Sequence, residues 1–129
     1  MNLKLHELVK EIGGPDRITQ ILKVFYGELA RDVMVGFFFE GFNLDSIATM
    51  QSQFILRSAG WRSDYSGRTP DRAHDKLAPI LPGHFDRRIQ ILKSVLANEG
   101  LTQIQTEVWI EFEEAFRKLI VKPHADCLG

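Results

Sequence analysis

The sequence predicts an all-α fold, on three observations. Apolar residues recur at three- and four-residue intervals, the spacing that puts them on one face of a helix. Glycine and proline punctuate the chain at helix-length intervals. No segment shows a convincing alternation of apolar and polar residues, so no strand is expected.

The elements follow in order. Leu3, Leu5, Leu8, Val9 and Ile12 suggest a short first helix, stopped by Gly13 and Gly14. Pro15 and Asp16 open a second helix, since a proline in the first turn lacks only an amide proton that the helix does not use. Its apolar face runs through Ile18, Ile21, Leu22, Phe25 and Leu29. A short turn at VMVGFFFEG follows. Asn43 or Asp45 can cap the next helix, whose stripe reads Leu44, Ile47, Gln51, Phe54, Ile55 and Ser58.

GWRSDYSGRTP is turn chemistry, and a loop of roughly ten residues is long for a helical domain and therefore suspect of function. Pro70 and Asp71 can start a short helix ending near Leu77. After Pro79 and Pro82, Gly83 precedes a helix with Phe85, Ile89, Leu92 and Leu96 on one face. Asn98, Glu99 and Gly100 end it. Thr102 can cap the last helix, for which the pattern predicts Ile104, Val108, Phe112, Ala115 and Leu119 facing inward.

At 129 residues the chain is long enough to bury a core without disulfides or structural metal. We expect one domain over residues 1–122 and a polar tail over 123–129. Hydrophobic residues make up 44% and charged residues 26%, ordinary for a soluble globular protein. The net charge of −1 gives no electrostatic case for nucleic acid or an anionic membrane. The only cysteine, Cys127, cannot form an internal disulfide. The N-terminal stretch is amphipathic rather than signal-like, and the longest apolar run, VGFFF, is far too short to span a bilayer. A cytoplasmic location is the default expectation.

Two residues break the binary pattern. Gln51 lies four after Ile47 and three before Phe54, so its amide points with them. A buried amide left unpaired costs ~1–3 kcal/mol, so something should meet it. It is either a core glutamine bonded to nearby backbone or a ligand-facing donor. Tyr26 lies four after Leu22 and three before Leu29. It is either a core tyrosine with a satisfied hydroxyl or a polar tip at a pocket. His74 has no neighbouring cysteine and no histidine at three- or four-residue spacing, which argues against zinc. By pattern alone it reads as a surface or capping histidine, and His84 as the head of the helix that follows. There is no Ser-His-Asp order, phosphate-binding glycine loop or paired-carboxylate motif.

The order of these features resembles that of the truncated haemoglobins, short globins with a two-over-two helical sandwich. IGGPDRI is similar to the family's glycine pair between the first two helices, and VFYGEL to its Phe-Tyr pair. FFFEGFNLDSIATMQSQF resembles the Phe-rich corner and the distal helix with its glutamine. YSGRTPDRAH resembles the Tyr-x-Gly stretch and short helix that carry the iron ligand, and GHFDRR the opening of the next helix. Each motif alone is weak; in this order and at these separations the set is specific.

The resemblance implies haem b, with His74 as the proximal iron ligand, and Tyr26 and Gln51 as the distal pair. Ile47 falls where many globins place a distal histidine; an isoleucine cannot ligate iron, which argues against a bis-histidine form from that position. Phe39, Phe54, Tyr65, Ile80 and Phe85 correspond to the haem-pocket wall, and each also suits plain core packing. Two residues depart from the pattern. Arg88 stands where several relatives carry a tryptophan, and a guanidinium facing a haem unpaired would be costly. It turns outward, reaches a haem propionate, or lines a different kind of pocket. Met50 stands where relatives often have a basic residue near a propionate, a role open to Arg68 or Lys76.

The function implied is binding of dioxygen, nitric oxide or another diatomic ligand at the iron, with oxygen transport or nitric oxide detoxification supported by an unknown reductase as its physiological use. No nucleic-acid or membrane partner is expected. Two other classes stay open. One is a peroxidase-like or electron-transfer haem protein, favoured if Arg88 enters the distal pocket. The other is a haem-free interaction module on a globin fold.

Overall fold

The computed structural model describes residues 1–62 and 79–121. Helix α1 spans Leu3–Ile12, α2 Pro15–Arg31, α3 Leu44–Ser58, α4 Pro82–Asn98, α5 Gln103–Glu114 and the single turn α6 Arg117–Ile120. A short 3-10 turn, Gly36–Phe39, joins α2 to α3. No strand occurs among the described residues; Ile80 and Val121 form one isolated parallel bridge.

Local chemistry sets the helix ends. The Asn2 side chain accepts from the Leu5 amide at 3.0 Å, and Asn43 from Ser46 at 3.0 Å, so Asn43 rather than Asp45 caps α3. Thr102 and Gln105 exchange bonds in a capping box at the start of α5. Gly13 and Gly14 both adopt positive φ, +120° and +94°, which lets the chain reverse between α1 and α2 within two residues. Gly36 serves a different end. A Cβ there would lie 2.6 Å from the Ala30 carbonyl oxygen, so only glycine lets this corner close onto the end of α2.

Helix α2 is the centre of the packing. It lies against α3 on one side and α4 on another, while α5 packs on α4 and α1. Its buried face is the one expected, Ile18, Ile21, Leu22, Phe25 and Leu29, with Tyr26 added. On α3 the fully buried positions are Ala48, Ser52, Ile55 and Leu56. The anticipated stripe of Ile47, Gln51 and Phe54 lies beside them and is half-buried. Ser52 sits on the buried face because its hydroxyl meets that of Thr19 on α2 at 2.6 Å. Arg17 fastens the start of α2 to the end of α4, bonding both the carboxylate and the carbonyl of Glu99 at 2.8 Å.

The expectation for the last helix is corrected. Ile104 is 74% exposed and Leu119 51%, and Ala115 is also exposed. Phe112 is buried as expected and Val108 packs against the core, but the rest of the inward face is Trp109 and Glu113. The phase is rotated by one position, because fully buried Trp109 anchors it and the helix ends at Glu114, before Leu119 can share its register.

Candidate functional site

Four helices each bring one polar side chain to a common point. Tyr26 comes from α2, Gln51 from α3, Arg88 from α4 and Glu113 from α5. Arg88 and Glu113 form an ion pair. A second guanidinium nitrogen of Arg88, Nη2, donates to the Tyr26 hydroxyl oxygen at 3.4 Å. The other carboxylate oxygen of Glu113, Oε2, accepts from Gln51 Nε2 at 3.5 Å. The result is a continuous chain, Tyr26–Arg88–Glu113–Gln51.

This cluster lies in the interior. Tyr26 is 6% exposed, the Glu113 side chain 5% and the Arg88 side chain 22%. The Arg88 guanidinium also stacks over the Phe25 ring, 5.0 Å from its centroid. Burial alone would weaken the arginine's hold on its proton, but Glu113 and Tyr26 together more than offset this, and the guanidinium is held firmly charged. A largely buried arginine thus has a buried counter-ion, which removes the cost that an unpaired charge would carry.

Apolar side chains surround the cluster. Phe39, from the 3-10 turn, meets Tyr26 edge-on at 5.8 Å. Ile47 and Phe54 flank Gln51 along α3, and Phe54 continues into rings of Phe112 and Phe116 at 5.9 and 5.3 Å. Phe39, Ile47 and Phe54 are half-buried and packed against the core.

The other anticipated positions fare differently. Phe85 is 2% exposed, with the Arg117 guanidinium 4.5 Å from its ring centroid. Ile80 is half-buried and bridges to Val121. Met50 lies at the surface. His84 accepts the Leu81 amide at 3.1 Å and meets Phe38 edge-on, so it does head α4. His74 and Tyr65, with Arg68 and Lys76, lie outside the described residues. Among the described residues no group of three or more His, Cys, Asp or Glu side chains is arranged to hold a metal ion, and no helix is long and apolar enough to cross a membrane.

Sequence reasoning noticed Tyr26 and Gln51 as polar tips on apolar faces and Arg88 as a misfit. It missed Glu113. The available signal was Trp109: four residues on, Glu113 must share the face of that buried indole.

No family model matches the chain. Curated relatives do. A group 1 truncated haemoglobin of Tetrahymena thermophila is 27% identical over 121 residues, 93% of each chain. Another from Tetrahymena pyriformis is 26% identical over 99 residues, covering 77% of this chain and 81% of its own. Among solved structures, the Fe(III) form of the Tetrahymena pyriformis truncated haemoglobin superposes with a TM-score of 0.80 at 24% identity, over 88% of this chain and 97% of that one. The 2/2 haemoglobin of Synechococcus sp. PCC 7002, solved in the cyanomet state with covalently attached haem, gives the same TM-score and coverage at 21% identity. Likeness in sequence along nearly the whole chain and likeness in fold converge: the chain is similar to truncated haemoglobins and has their two-over-two helical fold.

Proposed function

We propose that this chain is a haem b protein that binds dioxygen and other small diatomic ligands, with His74 as the proximal iron ligand and Tyr26 and Gln51 as distal hydrogen-bond donors. The observation that carries the reading is the convergence of the Tyr26 phenol and the Gln51 amide, from two helices, on one buried polar cluster walled by Phe39, Ile47 and Phe54. These residues suit a haem. The wall is apolar and partly aromatic, as a porphyrin face requires, and the two distal groups both carry protons to donate. A haem bound there supplies an iron that takes up a diatomic ligand and changes oxidation state.

The chain's own residues do the rest. A phenol and an amide each donate to a ligand atom that carries partial negative charge. In a site shielded from water such a bond is worth ~1.5–3 kcal/mol, tenfold or more in retention. Ile47 offers no atom that could ligate iron and leaves that side to the small ligand. His74 must be neutral at one ring nitrogen to serve as ligand, with the other nitrogen free to donate to an orienting partner. Phe85 and Ile80 belong to the haem-facing wall in this reading, as does Tyr65. Oxygen transport, or oxidation of nitric oxide with electrons from a reductase, are the physiological uses the reading admits. The likeness to relatives named group 1 supports assignment to that group.

The inward turn of Arg88 favours a second reading, peroxidase-like chemistry, in which a distal cation assists O–O cleavage. Its pairing with Glu113 counts against this, because the charge is already neutralised by a buried carboxylate.

The test is an absorption spectrum of the recombinant chain reconstituted with haem, in ferric, ferrous and oxygen-exposed forms, for wild type, His74→Ala and Tyr26→Phe. A stoichiometric Soret band weakened by His74→Ala, and an oxygenated form lost faster in Tyr26→Phe, is the expected result. No haem uptake would leave the haem-free interaction module. Immediate oxidation on meeting oxygen, with rapid peroxide turnover, would move the assignment to redox chemistry.

A further inference from the structure

We propose that Arg88 and Glu113 are positioning residues for the distal pair: their ion pair, strung between α4 and α5, holds the Tyr26 hydroxyl of α2 and the Gln51 amide of α3 in the arrangement in which both donate to a small ligand. The inference rests on the haem reading above and adds to it the two residues through which the donors act.

Proton direction in these bonds is fixed by the chemistry of the two charged groups. Arginine has donors only. In the Arg88–Tyr26 bond the phenol oxygen must therefore accept, and its own proton goes to another acceptor. A carboxylate has acceptors only, so Gln51 must present its nitrogen, not its carbonyl, to Glu113. One amide proton is thereby fixed and the second remains to be donated. Each charged group divides its work between two atoms. Arg88 uses one nitrogen for Glu113 and another for Tyr26; Glu113 uses one oxygen for Arg88 and the other for Gln51. Without the pair, the hydroxyl can rotate and the amide can flip. Stability alone does not account for such a pair, since a buried ion pair replaced by apolar residues of similar volume is often neutral or stabilising. What it adds here is orientation.

The experiment measures oxygen dissociation by stopped flow from the haem-loaded full chain, for wild type, Tyr26→Phe, Arg88→Met and the double variant. Arg88→Met should speed release about tenfold, one charge-assisted hydrogen bond's worth. In the Tyr26→Phe background the same change should add less than it does in wild type, because the part of its effect that runs through the phenol is already lost. Arg88→Lys keeps a cation for Glu113 but lacks a second nitrogen for Tyr26, so it should also release oxygen faster. It serves in place of Arg88→Met if that variant does not fold. An independent readout is the side-chain amide NMR signal of Gln51 in the carbon monoxide complex. Wild type should show one shifted, slowly exchanging amide pair, and Glu113→Gln should return it to ordinary values. Multiplying effects of Arg88→Met and Tyr26→Phe, or an unmoved Gln51 signal, would overturn the proposal while leaving haem binding intact. A wild-type chain that takes up no haem would overturn the haem reading and this proposal with it.

Discussion

Arg87 and Arg88 are neighbours on α4, yet their side chains end in opposite surroundings. The Arg87 side chain is 41% exposed and donates through two nitrogens to Asp32, at 2.8 and 3.0 Å. Asp32 also accepts the amides of Met34 and Val35, which fixes the corner after α2. The arginine's hydrogen bonds hold the Asp32 carboxyl below the usual carboxylate range and raise the guanidinium in return. Arg88, one residue on, turns into the interior, pairs with a buried carboxylate and reaches a phenol. The first pair is a clip at the rim of the fold: the Asp32 side chain is 7% exposed, but Arg87 opens to water, so solvent and salt weaken the bond. The second is shielded, so each partner becomes indispensable to the other. The same residue type, one helical step apart, serves chain tracing in one place and proton placement in the other.

That contrast can be broken from either side. The largest expected effect is from Glu113→Ala, which strands a buried guanidinium and should cost ~3–5 kcal/mol in urea unfolding. A loss below about 1 kcal/mol would mean that Arg88 finds solvent easily, which the account denies. Next comes Asn43→Ala. It removes the side-chain acceptor at the start of α3, and should cost ~1 kcal/mol. Thr102→Ala at the capping box of α5 should cost a similar amount. Smaller again is Arg87→Ala, whose loss should shrink further as salt is added, whereas the loss from Glu113→Ala should hardly respond to salt.

The rim pair also makes a pH prediction. Asp32 has a lowered folded-state pKa, held mainly by the Arg87 hydrogen bond, and Glu114 is lowered likewise, chiefly by Arg117. A carboxyl lowered in the folded state contributes stability that is fully present above its unfolded value, at pH ~4, and is lost as pH falls through its folded value. Asp32→Asn should therefore flatten the acid limb of stability against pH and leave the neutral region's slope unchanged. An acid limb identical to wild type would remove Asp32 from the account.

The sequence was most legible where its pattern was consistent. Helix α2 repeats its apolar residues without interruption from Ile18 to Leu29, so its face and its one polar tip, Tyr26, could be read directly. Gln51 was legible for the same reason, as an amide in an apolar stripe. Helix α5 misled because it breaks the rule in both directions: Ile104 is apolar and exposed, and Glu113 is charged and buried. A charge goes inside only when a partner from elsewhere meets it, and that partner, Arg88, is 25 residues away in sequence. Arg88 was visible as a misfit, but its direction depends on Glu113. The role proposed for His74 rests on resemblance alone, since a lone histidine between prolines carries no metal spacing of its own.

The central claim is that the buried pair orients the distal donors and is not mere packing. It is tested most directly by replacing both partners, Arg88→Met with Glu113→Leu, and measuring oxygen release from the haem-loaded chain alongside urea unfolding. The account predicts stability within about 1 kcal/mol of wild type, since an apolar pair fills the same space, together with oxygen release faster by about tenfold. Wild-type release from an equally stable double variant would contradict it and leave Arg88 and Glu113 as packing residues only.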